Sequence, residues 1–152
     1  MLFRSKGYNF EQGLDFKEFL KSFSLTGFQG SHLAEGIEIV KAMQREKAKI
    51  FLSFTSNQVS SGNREIIKFL VKHKKVDVLV TSAGGIEEDI IKCLKPFVIG
   101  KFNAPGRMMF DNGVNRIGNI FVPNDRYSMF DDFMKPFFAR IYKMQKEGKI
   151  YQ

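Results

Sequence analysis

The sequence predicts an α/β fold in which a mostly parallel sheet is flanked by helices. Two short apolar runs, Ile50–Phe54 and Val76–Val80, each lead into a loop of small residues and then into an amphipathic segment. The amphipathic segments, Arg64–Lys75 and Ile86–Leu94, carry apolar residues at helical spacing. Apolar runs joined by about a dozen helical residues are typical of parallel strands buried on both faces.

The two loops, Thr55–Gly62 and Thr81–Gly85, follow the carboxyl ends of their strands. Ligands of open α/β sheets bind beyond those ends, so we expect both loops to face one crevice. The first loop is rich in small polar residues beside a helix N-terminus, where N–H groups and the helix dipole favour a phosphate. An ordinary βα turn explains the same residues, and the GxGxxG fingerprint of dinucleotide sites is absent.

The second loop ends in adjacent carboxylates, Glu87 and Glu88, in the first turn of a predicted helix. Negative charge there complements the helix dipole, which is a sufficient structural reason for the pair. The functional alternative is a site for a cationic substrate, held by Coulomb attraction and charge-assisted hydrogen bonds.

Composition excludes some classes of function. The net charge of +8 comes from 24 basic and 16 acidic residues, but the basic residues are dispersed. The densest group, Lys72, Lys74 and Lys75, lies on the polar side of a predicted helix and indicates a solvated face rather than a nucleic-acid surface. The sequence contains no apolar run long enough to span a membrane and no signal peptide, so we expect a cytoplasmic protein.

The single cysteine and the two histidines do not form the pattern of a metal site or of a catalytic triad. Cys93 is the only cysteine, so it forms no internal disulfide, and its apolar neighbours predict a small buried side chain. His32 and His73 are far apart in sequence, and both are expected at the surface. We therefore predict no bound metal and no catalytic triad.

The remaining segments complete one domain that spans 1–152. They comprise a packing arm at 1–13, a helix at Leu14–Phe23, a loop at Thr26–Gly30, a helix from the N-cap Ser31 to Lys47, a strand at Pro96–Gly100, a fourth apolar run at Asn115–Pro123 and a closing helix at Tyr127–Lys146. Pro136 is expected to break or kink the closing helix.

Four motifs, in this order along the chain, resemble deoxyhypusine synthase. They are Thr26–Gln29, the run from Thr55-Ser56-Asn57 to Ser60-Ser61-Gly62, Asp77–Asp89, and Asn115–Asn119. The resemblance extends from about Gly7 to Phe133 and covers only the N-terminal half of the family's longer polypeptide. It implies a Rossmann-like NAD-binding domain that is incomplete, at half length.

The resemblance also implies an activity. Deoxyhypusine synthases use NAD to oxidise spermidine and pass its aminobutyl group through an imine on an enzyme lysine to a lysine of the translation factor 5A precursor. The imine-forming lysine belongs to the family's C-terminal half, so no lysine of this chain is assigned that role. A partner synthase chain, in a homo- or hetero-oligomer, would supply it. The alternative is a non-catalytic regulatory paralogue or a gene fragment.

The resemblance assigns roles to residues of both loops. Those that would bind NAD are Ser56, Asn57, Gln58, Val59, Ser60, Ser82, Ala83, Gly84 and Glu88. Glu87 and Glu88 would bind spermidine. No nucleic acid or membrane is implied.

Overall fold

The computed structural model describes residues 3–150, which divide into a compact unit ending at Ile50 and a second beginning at Phe51. The first unit is helical. The second contains the strands and the residues to which the resemblance assigns roles. Parts of the predicted arm and of the predicted single domain, at residues 1–2 and 151–152, lie outside the described residues.

Two packed helices form the first unit, α1 (Phe16–Thr26) and α2 (Phe28–Arg45). Asp15 is the N-cap of α1, and its carboxylate accepts a hydrogen bond from the Glu18 amide at 2.9 Å. The predicted arm contacts α1: the Lys6 amide donates to the Leu25 carbonyl at 3.0 Å, and the Tyr8 ring meets that of Phe19 edge-on.

The predicted loop at Thr26–Gly30 and the predicted N-cap Ser31 are wrong. Gly27 alone separates α1 from α2, because its φ of +88° allows a sharp reversal that other residues rarely adopt. Ser31 lies inside α2, where its hydroxyl accepts a hydrogen bond from the Gly27 amide at 3.2 Å. Gly30 lets the helices approach, since a Cβ there would lie 3.2 Å from the Phe23 ring.

In the second unit, a parallel strand pair confirms the α/β class. β1 (Phe51–Phe54) runs alongside β2 (Val78–Thr81), with Phe51 opposite Val78 and Phe54 opposite Thr81. The unit's helices are α3 (Ser56–Ser60), α4 (Arg64–Lys72), α5 (Ala83–Leu94), α6 (Gly106–Asp111) and α7 (Asp125–Lys146). Its buried apolar side chains are Val59, Ile91, Met109 and Val122.

The third and fourth apolar runs form a separate antiparallel sheet rather than continuing the parallel one. Its strands are β3 (Val98–Ile99), β4 (Val114–Ile117) and β5 (Ile120–Pro123), in the order β3-β5-β4. The run Asn115–Pro123 is a hairpin, since Gly118, with φ of +59°, supplies the positive φ that a two-residue turn requires.

Two further predictions are corrected. The predicted break at Pro136 is wrong, because α7 runs unbroken from Asp125 to Lys146 and tolerates the one backbone hydrogen bond that proline cannot donate. Cys93 is exposed rather than buried, and its sulfur accepts a hydrogen bond from the Arg64 guanidinium at 3.0 Å. No helix of the described chain is long and apolar enough to cross a membrane.

Candidate functional site

The two short helices α3 and α5 begin directly beyond the carboxyl ends of β1 and β2 and pack against each other. The segments predicted as the loops Thr55–Gly62 and Thr81–Gly85 therefore contain the whole of α3 and the first turn of α5. Their small residues serve close packing as well as chain reversal. This α3–α5 junction, defined by Ser56–Ser61 and Ser82–Lys92, is the candidate site.

Glycines allow the close approach at the junction. A Cβ on Gly84 would lie 3.3 Å from the Cβ of Ser56, and one on Gly85 would lie 2.3 Å from Oγ1 of Thr81. Thr81 Oγ1 is buried and lacks a hydrogen-bond partner among the described residues. The Ala-Gly-Gly sequence thus places the start of α5 against both α3 and the end of β2.

A hydrogen bond between Ser60 and Glu88 joins the two helices. Ser60 is 3% exposed, and its hydroxyl donates to Oε2 of Glu88. Burial raises the pKa of the Glu88 carboxyl; the Ser60 hydrogen bond and the charge of Lys92 oppose this effect, and the charge of Glu87 adds to it. Glu88 is therefore a partly desolvated carboxylate in contact with Ser60, one of the residues that the resemblance assigns to NAD.

Tyr127, in the first turn of α7, lies beside the acidic pair. Burial raises the pKa of its hydroxyl, and the negative charges of Glu87 and Glu88 raise it further. α7 packs against α5, which accounts for this proximity. Tyr127 could not be identified from the sequence, because no local motif relates it to a helix more than thirty positions earlier.

Lys92 is the second residue of the site that was not predicted from the sequence. Its ammonium donates to the carbonyl oxygens of Val59, Ser60 and Ser61, at 2.8, 3.0 and 3.0 Å. Burial lowers the pKa of this ammonium, and the charge of Arg64 lowers it further. The sequence does contain one signal for Lys92: it lies four residues after Glu88, which places both side chains on one face of α5.

The predicted NAD residues differ in accessibility. Asn57, Gln58, Ser82 and Ala83 are exposed, and Ser56 and Gly84 are half-buried. Val59 is 4% exposed, and its carbonyl oxygen already accepts a hydrogen bond from Lys92, so it offers a ligand little accessible surface. The Ser82 side chain makes no capping hydrogen bond at the start of α5 within the described chain. A cleft of about 500 Å³ at the end of β1, which includes Thr55, Gln58 and Asn63 in its lining, adjoins this region.

Comparison with known proteins identifies the family. The model of the family described as deoxyhypusine synthase matches residues 18–152. The chain belongs to the deoxyhypusine synthase family. It is 50% identical over 147 residues to the "Probable deoxyhypusine synthase" of Methanocaldococcus jannaschii, covering 92% of this chain and 44% of that protein. It is 43% identical over 170 residues to deoxyhypusine synthase of Arabidopsis thaliana, covering 95% and 46%.

A solved structure gives the same result for the fold. The crystal structure from Entamoeba histolytica that carries the deoxyhypusine synthase name superposes with a TM-score of 0.59 at 29% identity. The match covers 91% of this chain and 49% of that one. The resemblance predicted from the motifs is confirmed, and the chain spans about half the length of the family members it matches, in agreement with an N-terminal half.

Proposed function

We propose that this chain contributes one wall of a deoxyhypusine synthase site. The reaction is the NAD-dependent transfer of the aminobutyl group of spermidine to a lysine of the translation factor 5A precursor. The Ser60–Glu88 hydrogen bond carries this proposal, because it ties the helix assigned to the cofactor to the carboxylates assigned to the polyamine. The reaction belongs in the cytoplasm, where a translation factor is synthesised and modified.

The junction suits a dinucleotide. Asn57, Gln58 and Ser82 offer exposed neutral groups that can hydrogen-bond phosphate and ribose oxygens. Gly84 lets α3 approach the first turn of α5, which places Ser56 beside the N-terminus of α5, where the helix dipole favours a phosphate. NAD, when bound, accepts the hydride that spermidine loses. The chain's own part is to bind and orient NAD beside the carboxylates.

The carboxylates suit a polyamine. Glu87 and Glu88 are half-buried, so the attraction between them and a protonated amine is screened less than at an open surface. A cation at this position also offsets the cost of keeping a partly desolvated negative charge at Glu88. We assign both side chains to spermidine binding and Glu88 to contact with the cofactor as well.

The nucleophilic lysine is assigned to another part of the assembly, because no segment of this chain matches the family motif that contains it. A full-length synthase chain in a hetero-oligomer with this chain would provide that motif. The alternative is a non-catalytic paralogue that regulates a full-length synthase. The alternative predicts spermidine turnover that depends entirely on the partner's own sites.

A charge-neutralising double variant tests the polyamine assignment. Glu87→Gln with Glu88→Gln removes both negative charges and keeps the side-chain shapes. In an assembly of this chain with a full-length family enzyme whose own acidic pair is disabled, spermidine affinity should fall at least about tenfold, since charge-assisted hydrogen bonds are lost. Titration calorimetry measures this affinity, and circular dichroism checks that the fold is retained.

The matched control is a second adjacent acidic pair on the same chain. Asp131 and Asp132 lie on α7, and Asp131 pairs with Lys135 at 2.5 Å. Their double replacement by asparagine changes the net charge by the same amount and should leave spermidine affinity unchanged. If both double variants lost the same amount of spermidine affinity, the effect would come from net charge alone, and the assignment would be contradicted.

A further inference from the structure

We infer that Lys92 is a positioning residue of the junction: its ammonium holds α3 against α5 so that the Ser60 hydroxyl meets the Glu88 carboxylate. Its link to cofactor binding rests on the proposed function. Its effect on α3 does not.

The hydrogen bonds of Lys92 go to the end of α3. The carbonyls of Val59 and Ser60 belong to the last residues of the helix, and that of Ser61 belongs to its C-cap. The last carbonyls of a helix have no partners within it and carry the negative end of its dipole. An ammonium has three donor hydrogens, and here each has an acceptor.

α3 needs such support. It has five residues, far fewer than a helix requires to be stable in water without tertiary contacts. The Lys92 side chain is half-buried, and its ammonium lies 5.7 Å from the centre of the Phe97 ring, which covers it. The cation is therefore built into the junction and is not a surface charge.

Ser60 is held by two successive polar positions of α5. Glu88 accepts from its hydroxyl, and Lys92, one turn later, donates to its carbonyl. The preceding residues of the same short helix include Ser56, Asn57 and Gln58, the proposed cofactor contacts. Release of the end of α3 would therefore displace those groups, and displacements of about 1 Å in binding groups are costly.

The test replaces Lys92 by methionine, which keeps the apolar stem and removes the donors. The control is Lys95→Met at the C-cap of α5, which also removes one positive charge but breaks a 2.6 Å ion pair with Asp125 of α7 rather than hydrogen bonds to α3. Amide hydrogen exchange, measured by NMR, reports on α3 through the Ser61 amide, which donates to the Asn57 carbonyl at 3.2 Å.

Lys92→Met should accelerate exchange at Ser61 by at least about tenfold relative to α4 amides, the equivalent of one lost hydrogen bond. Lys95→Met should leave the Ser61 exchange rate within about twofold of the wild type. Equal acceleration in α3 and α4, or no acceleration in Lys92→Met, would overturn the inference, because the lysine would then act on general stability or not at all.

A second measurement connects the inference to the cofactor. In the assembly with a full-length partner, Lys92→Met should weaken NAD binding by about tenfold or more, whereas Lys95→Met should not change it. Tight NAD binding in Lys92→Met would overturn the cofactor part of the inference. A wild-type assembly in which this chain's junction binds no NAD would refute the proposed function instead, and hydrogen exchange alone would then decide the role of Lys92.

Discussion

The surroundings of Glu88 combine opposing electrostatic effects within a few ångströms. Burial and the neighbouring Glu87 disfavour its negative charge, while the Ser60 hydroxyl and Lys92 favour it, and the net result is a raised pKa. A bound polyamine would bring further positive charge, which would favour the negatively charged form of Glu88. We interpret the raised pKa as the property of a carboxylate suited to binding a cation, because groups with perturbed pKa values concentrate at functional sites.

Asp125, at the start of α7, has a pKa that is shifted in the opposite direction from that of Glu88. Hydrogen bonds from Lys95 and from Arg126 lower the pKa of its carboxyl from 3.8 to about 2. A carboxyl with a lowered pKa in the folded state stabilises the fold above its unfolded pKa and loses that contribution as the pH falls through the folded pKa. The ion pair between α5 and α7 should therefore act in full above pH 3.8 and be lost towards pH 2.

Urea unfolding of the wild type and of Asp125→Asn across acidic pH tests this expectation. The wild type should be the more stable of the two above pH 3.8, and the difference in the free energy of unfolding should shrink as the pH falls through about 2. A difference that stays constant over this range would show that the carboxylate charge makes no contribution.

At the scale of elements, the junction depends on how closely α5 can approach its neighbours. Gly85 lies where any side chain would meet Thr81, whose Oγ1 is 2.3 Å from the position of a Cβ. Thr81 ends β2, and β2 pairs with β1, so a shift of α5 would also disturb the parallel pair. The glycine therefore fixes the position of the acidic pair relative to the sheet.

Gly85→Ala should lower the free energy of unfolding by about 1 to 3 kcal/mol, the usual cost of overpacking. The matched control is Gly36→Ala in the interior of α2, where a Cβ would have nothing within 4 Å. That substitution should stabilise the protein by about 0.5 to 1 kcal/mol, because alanine favours the helix. Urea denaturation measures both, and two changes of the same sign would contradict the packing argument.

The sequence predicted the parallel pair and its helices because strand runs and helical spacing are local signals. It misassigned Thr55–Gly62 and Thr81–Gly85 as loops because serine and glycine are typical both of turns and of closely packed helices. The hairpin within Asn115–Pro123 was missed because the apolar residues continue on both sides of Gly118. Contacts between distant segments, such as Lys92 with α3 and Tyr127 with the acidic pair, leave no local pattern in the sequence.

At the scale of the whole molecule, the chain exposes much apolar surface for a folded protein. In the second unit, Phe51 of β1 is 68% exposed and Val80 of β2 is 52% exposed, although strands of a parallel sheet are normally covered on both faces. Phe137 and Phe138 of α7 are exposed as well. Together with a match to about half of each relative's length, these faces support the proposal that further polypeptide completes the site.

The measurement that tests the central claim most directly is NMR of the isotope-labelled chain in an assembly with a full-length family enzyme, titrated with NAD and then with spermidine. We predict that NAD shifts the amide signals of Ser56–Ser60 and Ser82–Gly84, and that spermidine shifts the side-chain carboxyl signals of Glu87 and Glu88. Shifts confined to the helices of the first unit, or no shifts in α3 and α5 while the assembly binds both ligands, would contradict the account.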